Sequence, residues 1–256
     1  MLDVSSVGRV CAKHGPFLGT VYSSPSGKQY ELTCPVCIRE LREAQAAREL
    51  AASREQERLM KRDVNLSMNI EPAFYEATFD SFVADTAELK HHVERVQALV
   101  AGDVTKIIMA GRHGTGKTHL ACAALHVLGG KIMTMYEISA TIRGSYAAGS
   151  ERTELEIVDD LASQKLLVID EIGRTKGSDS EANWLSYIID KRHVRELPLI
   201  LISNKHVKMD CLKSGCENCF ENFIGEDVIS RITEGGMLLR FTGADWRKHP
   251  RRRVTE

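Results

Sequence analysis

A chain of 256 residues, 43% of them hydrophobic, can bury one full-sized core and still leave room for a small accessory module. The formal net charge of -1 gives no global attraction to nucleic acid or to a membrane surface, so any such binding must come from local patches. No stretch approaches the roughly 18 apolar residues of a membrane helix, and the N-terminus lacks the apolar segment of a signal peptide; we expect a cytoplasmic protein with no membrane partner.

The first predicted element is a small metal-binding module over residues 1–37. Cys11-x-x-His14 and Cys34-x-x-Cys37 are separated by a loop rich in Gly and Pro. These spacings supply four ligands for a tetrahedral structural Zn²⁺, and an odd number of cysteines without an export signal favours thiols or metal ligands over a disulfide framework. The alternative is a set of unconnected thiol and imidazole groups in a disordered tail.

A helical linker is expected next, over residues 38–73. The residues from Ile38 to Arg62 include neither Gly nor Pro, and Glu57 precedes Lys61 by four positions, the spacing of paired side chains on a helix. The apolar positions make no sustained heptad, which favours a solvated connecting helix over a coiled coil.

From Thr105 onward, short apolar runs alternate with helical segments, which indicates a third domain over residues 74–256. The predicted strands are Ile107–Ala110, Ile132–Tyr136, Leu166–Ile169 and Leu199–Ser203, and a helix that ends at Leu128 separates the first two. Short apolar strands separated by helices predict an α/β fold whose parallel sheet is covered by helices on both faces.

A phosphate-binding loop directly follows the first of these strands. The motif G-x-x-x-x-G-K-[ST] is matched by Gly111, Arg112, His113, Gly114, Thr115, Gly116, Lys117 and Thr118. Such a loop turns backbone N–H groups toward phosphates, while Lys117 reaches the β- and γ-phosphates and the Thr118 hydroxyl binds magnesium. A chance match in a glycine turn is disfavoured by the position between a strand and a helix. The sequence therefore predicts bound ATP and Mg²⁺.

Polar residues at the ends of two later strands complete this P-loop NTPase site. Asp170 would lie beside the magnesium, and Glu171 is placed to polarise an attacking water, which favours hydrolysis over transfer to another substrate. The alternative, two solvated carboxylates, leaves the preceding apolar run unexplained. Asn204 could orient water near the γ-phosphate, although Asn at a strand end is commonly a turn residue. The sequence predicts an ATPase.

These motifs resemble those of the AAA+ helicase-loader family typified by DnaC and, more distantly, those of the IstB transposition ATPases. The resemblance covers residues 74–247 and rests on GRHGTGKTHLACAA from Gly111, LLVIDEIG from Leu166 and ATFDSF around Phe79. It implies a ring or spiral of several copies with ATP at the subunit junctions. The predicted zinc-binding module over residues 1–37, the front end of the chain, resembles the N-terminal regions of phage and prophage members of this family.

The resemblance also implies roles for single residues. By this resemblance, Asn204 occupies the sensor position, on a strand between the Walker B strand (Leu166–Ile169) and the sheet edge. Arg231 corresponds to the arginine finger, the arginine that meets the nucleotide of a neighbouring subunit. Arg247 lies near the position of a second-sensor arginine. Without the resemblance, Arg231 would be interpreted as an arginine on a helix surface.

Loaders insert an extra helix that faces the central channel, and the corresponding region here spans Glu137 to Leu161. Arg143 and Tyr146 in this region are candidates for contact with single-stranded DNA, because arginine meets phosphates while bases stack on tyrosine. A solvated arginine and a tyrosine that packs its ring are an equally supported alternative.

A second cysteine cluster follows the sensor strand in a hydrophilic loop. Cys211, Cys216 and Cys219 are its members, and His206 is a candidate fourth ligand. The cluster does not contain two pairs of ligands at the C-x-x-C or C-x-x-H spacing. A second bound Zn²⁺ and a set of free cytosolic thiols are therefore equally supported interpretations.

Sequence and resemblance together predict an ATP-dependent loader that places a replicative hexameric DNA helicase on single-stranded DNA, with a zinc front end that docks on the helicase. An IstB-like ATPase that regulates transposition on duplex DNA is the nearest alternative, and the zinc front end disfavours it. An adaptor that binds nucleotide and zinc with negligible turnover is a further alternative, which Glu171 and Arg231 disfavour.

Overall fold

The computed structural model describes residues 3–23, 29–30, 34–174, 179–211, 213, 216 and 219–246. They belong to two compact units, Met1–Lys61 and Arg62–Glu256. The three-part division into residues 1–37, 38–73 and 74–256 stays a prediction. Within the described ranges, no helix is long and apolar enough to cross a membrane.

The first unit contains a β-hairpin and most of a long helix. Strands β1 (Asp3–Cys11) and β2 (Gly15–Ser23) pair in antiparallel register, and β3 (Gln29–Tyr30) pairs with the far end of β2. The register pairs Cys11 with Gly15, so the Cys11-x-x-His14 motif lies in the tight turn of the hairpin. The hairpin thus presents Cys11 and His14 at one end.

Helix α1 (Pro35–Ser67) confirms the helix predicted over Ile38–Arg62 and extends it at both ends. Proline suits its first position, because the first N–H groups of a helix have no intrahelical partner. Residues 41–64 are all exposed, as expected for a helix without an apolar stripe.

The second unit is built on a five-stranded parallel sheet with strand order β5-β6-β7-β4-β8. Its strands are β4 (Lys106–Gly111), β5 (Gly130–Thr134), β6 (Leu166–Ile172), β7 (Leu199–Ser203) and β8 (Gly236–Phe241). All of β7 is buried, which explains its continuous apolar run, because strands covered on both faces lose the alternation of polar and apolar residues.

Helices cover both faces of this sheet, which confirms the predicted α/β class. They are α2 (Ala87–Ala101), α3 (Lys117–Leu128), α4 (Met135–Gly144), α5 (Glu154–Ser163), α6 (Asp179–Val194), α7 (Glu221–Ile224) and α8 (Glu226–Thr233). One hydrophobic core packs α4 to α8 against Ile169 and Leu201. The other packs α2 and α3 against Val168 and Ile200. Adjacent strand residues point to opposite faces, so the two cores lie on opposite sides of the sheet.

Two expectations about the strands are wrong. The strand predicted over Ile132–Tyr136 ends at Thr134, because Thr134 caps α4 in a reciprocal pair of hydrogen bonds with Glu137. The sensor strand β7 does not lie next to the sheet edge. It lies between the Walker B strand β6 and the P-loop strand β4, and the edge strands are β5 and β8.

Strand β8 was not predicted from the sequence. Its residues alternate between buried positions, such as Leu239 and Phe241, and exposed positions, such as Leu238 and Arg240. This pattern reflects its place at the edge of the sheet, and it lacks the uninterrupted burial that identified the central strands.

Candidate nucleotide site and metal centres

The predicted phosphate loop connects β4 to α3 at the carboxyl edge of the sheet. Gly114 and Gly116 have φ values of +72° and +95°, a conformation that side chains disfavour. A side chain at either position would also displace a neighbouring side chain. A Cβ on Gly116 would lie 2.5 Å from the ring of Phe82, and a Cβ on Gly114 would lie 1.7 Å from the Asp245 carboxylate. The loop conformation therefore depends on glycine at both positions.

Lys117 and Thr118 begin α3 directly below this loop. Lys117 is buried, and its Nζ donates hydrogen bonds to the carbonyl oxygens of Gly111 at 2.8 Å and Arg112 at 2.5 Å. The Thr118 hydroxyl donates to the Asp170 carboxylate at 2.8 Å. The two residues predicted to bind magnesium, 52 positions apart in sequence, thus meet at one point.

Asp170 and Glu171 end the apolar part of β6, as predicted, but in different environments. Burial raises the pKa of Asp170, so a cation beside it would offset the unfavourable desolvation of its charge. Glu171 has a φ of +56°, which is unusual for a residue with a side chain. Its carboxylate accepts two hydrogen bonds from Arg174 Nη1, at 2.7 and 2.5 Å.

A cavity of about 640 Å³ lies over these groups. Its polar side includes the loop, both carboxylates and Asn204. The segment before β4 also contributes to the lining, with Leu66, Asn69, Ile70, Glu71, Pro72, Phe74, Tyr75, Ser81, Phe82 and Val83. A polar floor suits phosphates, while a wall rich in apolar and aromatic side chains suits a nucleobase. Sequence reasoning missed this wall and noted only Phe79 nearby. The run of apolar and aromatic residues between positions 70 and 83 was the available signal.

The chain returns to the phosphate loop after β8. The backbone N–H of Trp246 donates to the carbonyl of Gly114 at 2.9 Å, and Trp246 lines the cavity. Arg247, the candidate second sensor, lies outside the described residues. Its proposed role stays a prediction, although the residue before it lies at the cavity.

Arg231 lies far from this cavity. Its backbone carbonyl accepts a 2.7 Å hydrogen bond from Nζ of Lys106, which begins β4, and its guanidinium forms an ion pair with Asp190 at 3.0 Å. Gly111 ends the same strand five residues later, which corresponds to roughly 16 Å at the rise of a β-strand. The structure therefore brings together Lys117, Asp170 and Asn204 at the carboxyl ends of the strands. It leaves Arg231 at the opposite, amino ends of the strands, which we call the amino edge of the sheet.

The two candidate DNA contacts lie at the end of α4 and just after it. Arg143 forms an ion pair with Glu181 at 3.6 Å, and the Tyr146 hydroxyl donates a hydrogen bond to Glu154. This bond, followed by one from the Trp184 indole, lowers the pKa of Glu154. Tyr146 is 61% exposed, so its ring is not packed in the core. Contact with DNA stays a prediction for both residues.

The N-terminal cysteine and histidine residues form a compact cluster. The ligand atoms of Cys11, His14, Cys34 and Cys37 all lie within 4.8 Å of one another. Cys37 Sγ is 3.6 Å from Cys11 Sγ and 3.3 Å from His14 Nδ1, close to the roughly 3.5–3.8 Å edges of a tetrahedral zinc site. His14 Nε2 lies 3.1 Å from Glu40, the kind of carboxylate partner that orients a metal-binding histidine. The cluster could hold a Zn²⁺ ion.

Local backbone structure lowers the pKa of one thiol in this cluster. Backbone N–H groups of Lys13 and His14 lower the pKa of the Cys11 thiol to about 6, and the thiolate is the form that binds metal. All seven cysteines are described and none forms a disulfide, which agrees with the sequence-based preference for thiols or metal ligands.

A similar cluster forms in the loop after β7. The ligand atoms of His206, Cys211, Cys216 and Cys219 also lie within 4.8 Å of one another, with His206 Nε2 3.5 Å from Cys216 Sγ and 3.4 Å from Cys219 Sγ. Burial, together with the neighbouring thiols, raises the pKa of Cys219 to about 12. This cluster could also hold a metal ion, and the fold adds His206, which spacing alone left open.

Comparison with known proteins relates this site to a family. A family model described as IstB-like ATP binding protein matches residues 38–213. The chain is 32% identical over 156 residues to the replicative helicase loader DnaC of Buchnera aphidicola subsp. Schizaphis graminum, which covers 58% of this chain and 59% of that relative. It is 27% identical over 206 residues to the replicative helicase loader DnaC of Escherichia coli (strain K12), over 77% of this chain and 79% of that relative.

Among solved structures, the crystal structure of the DnaC helicase loader matches with a TM-score of 0.56 and 20% identity, over 67% of this chain and 100% of that chain. At this identity the likeness concerns the fold alone. The AAA+ P-loop fold predicted from the sequence is thereby confirmed.

Proposed function

We propose, since this chain belongs to the family of IstB-like ATP-binding proteins, that it is an ATPase that loads a replicative hexameric DNA helicase onto single-stranded DNA. The observation that carries the proposal is the meeting of Lys117, Thr118 and Asp170 at the base of one cavity. Two relatives named as replicative helicase loaders support the choice of substrate.

In this proposal, the phosphates of ATP bind to the loop between β4 and α3. Lys117 exchanges its hydrogen bonds to the carbonyls of Gly111 and Arg112 for contacts with the β- and γ-phosphates. Thr118 and Asp170 would hold Mg²⁺, which would neutralise part of the phosphate charge. The base occupies the apolar wall of the cavity.

Hydrolysis requires an activated water and a positive charge at the γ-phosphate. Glu171 accepts the proton of a water that attacks the γ-phosphorus, the bond to the β–γ bridging oxygen breaks, and ADP and phosphate are released. Asn204 orients this water from the end of β7. Arg231 supplies the charge to the site of a neighbouring copy, because its place at the amino edge keeps it from the cavity of its own chain. The working form is therefore a ring or spiral of several copies.

The single strand contacts Arg143 and Tyr146 in this proposal. Both side chains are mostly exposed, and a ring that is 61% exposed can stack on a base. The acidic partners Glu154 and Glu181 fix the orientation of these side chains.

The zinc-bearing front end docks on the helicase. Val10 and Leu18 lie on the hairpin beside the metal cluster and are 79% and 78% exposed, so both apolar side chains are available to a partner surface. Cys11, His14, Cys34 and Cys37 would hold a structural Zn²⁺ that stabilises this hairpin against α1.

The docking step can be tested with the cognate helicase. The full chain should form a complex with it that survives gel filtration. The double variant Val10→Asp, Leu18→Asp should lose the complex while keeping its zinc, because two charges would enter the apolar surface. The control Leu41→Asp, an exposed apolar residue of α1, should still bind. A full chain that does not bind the helicase but binds a transposase would favour the alternative function, an IstB-like ATPase that regulates transposition.

A further inference from the structure

The loop between β7 and α7 carries three cysteines and a histidine around one centre. His206 and Cys219 form an isolated parallel bridge, and the N–H of Phe220 donates to the carbonyl of His206 at 2.8 Å. The N–H of Lys208 donates to the Glu221 carboxylate at 2.8 Å. These bonds close the loop independently of any ion and hold His206 beside Cys219.

We propose that His206, Cys211, Cys216 and Cys219 bind one Zn²⁺ ion. Three thiolates and an imidazole are a ligand set typical of structural zinc. His206 Nε2 lies 3.5 Å from Cys216 Sγ and 3.4 Å from Cys219 Sγ, which agrees with the roughly 3.5 Å separation of sulfur and nitrogen in a tetrahedral zinc site. All four ligand atoms lie within 4.8 Å of one another, so one ion can reach all of them after small side-chain movements.

Free thiols explain this arrangement less well. Cys219 is only 3% exposed, and a buried cysteine without a metal usually packs among apolar side chains as a small hydrophobe. Here the other members of the cluster are polar groups from distant points of the loop. The backbone bridge already brings His206 beside Cys219, and a metal ion explains why the thiols of Cys211 and Cys216 converge on the same point. It would also stabilise the loop, because an ion that bridges distant residues restricts the unfolded chain.

The position of this ion connects it to the nucleotide site. His206 follows the cavity residue Asn204 by two positions. On the other side, Phe223 of α7 packs against Gly173, which follows Glu171 by two positions: a Cβ on Gly173 would lie 3.0 Å from the ring. Helix α7 then continues through one glycine into α8, which carries Arg231. The ion would therefore fix three elements relative to one another: the sensor strand β7, the end of the Walker B strand β6, and α8, the finger helix that carries Arg231.

Metal analysis of the purified full chain tests the site itself. We expect two zinc ions per chain, and one in each of the variants Cys216→Ser and Cys37→Ser. Cys216→His, which keeps a ligand, should retain the second ion, and Cys122→Ala, a buried cysteine of α3 outside both clusters, should keep both. A Cys216→Ser variant with the same zinc content as the unchanged chain would overturn the proposal. If Cys37→Ser loses nothing but Cys216→Ser loses an ion, the front-end site fails and this one stands.

The link to the nucleotide site is tested separately, and it rests on the proposed ATPase activity. Cys216→Ser should lower the rate of ATP hydrolysis about 10- to 100-fold, since small displacements of catalytic groups have effects of this size. Its affinity for ATP should stay unchanged, and the control Arg152→Ala, an exposed arginine paired with Asp160, should hydrolyse ATP normally. Lost zinc with unchanged hydrolysis would overturn the link and leave the metal site intact. An unchanged chain that does not bind ATP would instead refute the proposed function, while the zinc count would be unaffected.

Discussion

The two edges of the parallel sheet carry different parts of the proposed active site. At the carboxyl edge, Lys117, Thr118 and Asp170 converge on one cavity. At the amino edge, Lys106 holds the last turn of α8, and with it Arg231, by a 2.7 Å hydrogen bond. The length of β4 separates the two. In the proposed function, one chain would therefore bind a nucleotide at one edge and offer Arg231 only to another chain.

The edges also differ in how they are held together. The phosphate loop is local, because eight consecutive residues form it and the adjoining strand and helix position it. The finger helix depends on contacts between distant residues: Lys106 and Arg231 are 125 positions apart. Changes at the first edge should therefore abolish nucleotide binding, whereas changes at the second should leave binding intact and impair turnover.

The largest expected effect concerns Arg231. Arg231→Ala should bind ATP normally but lose hydrolysis by about 10³- to 10⁵-fold, the contribution of arginine fingers where it has been measured. Lys117→Ala should lose nucleotide binding in its own subunit. A mixture of the two inactive variants should regain activity at junctions that pair an intact loop with an intact finger, as measured by phosphate release.

Arg152→Ala, an exposed arginine paired with Asp160, is the matched control and should behave like the unchanged chain. Mixed assemblies that form but show no activity would contradict a finger that acts between chains. Full hydrolysis by Arg231→Ala alone would remove Arg231 from the site.

The next effect concerns the attachment of α8. Lys106→Met leaves the carbonyls of Arg231 and Glu234 without their charged donor, so urea unfolding should show a loss of about 1.5–3 kcal/mol. The rate of ATP hydrolysis should fall by a larger factor than the affinity for ATP. Lys131→Met, on the edge strand β5, should change stability by less than about 0.5 kcal/mol. Equal losses in both variants would mean that Lys106 does not hold the finger helix.

The two edges also differ in how far their residues could be predicted from the sequence. The phosphate-binding part of the carboxyl edge was predictable, because the phosphate loop and the apolar run before Asp170 are contiguous motifs, whereas the apolar residues between positions 66 and 83 that line the same cavity were missed. Neither Lys106 nor the true neighbours of β7 could be inferred, because strand order depends on packing across the whole sheet. His206 joined its cysteines only in the folded chain, and Arg231 was identified by resemblance rather than by any local pattern.

A smaller effect is expected at Tyr146, on the segment that follows α4. Tyr146→Ala should weaken binding of single-stranded DNA by roughly 5- to 100-fold, because one base stack is lost. Tyr146→Phe, which removes only the hydrogen bond to Glu154, should bind almost as well. Fluorescence anisotropy with a labelled oligonucleotide measures both. Equal weakening in the two variants would show that the hydroxyl, not the stacking ring, is responsible.

The smallest effect concerns the ion pair between Arg174 and Glu171. Arg174→Ala should free the Glu171 carboxylate to accept a proton, and hydrolysis should rise by no more than about fivefold, since exposed ion pairs are weak. The steady-state rate at saturating ATP measures this change. A fall in rate would mean instead that Arg174 assists the reaction.

The return of the chain to the phosphate loop has an optical consequence. The sequence contains two tryptophans. Trp184 is 8% exposed and its indole donates to Glu154, whereas Trp246 is 40% exposed and lines the cavity with its backbone bonded to Gly114. A nucleotide that enters the cavity changes the solvent around one indole and not the other. The emission of the unlabelled chain should therefore shift on nucleotide binding, and that shift should disappear in Trp246→Phe and persist in Trp184→Phe.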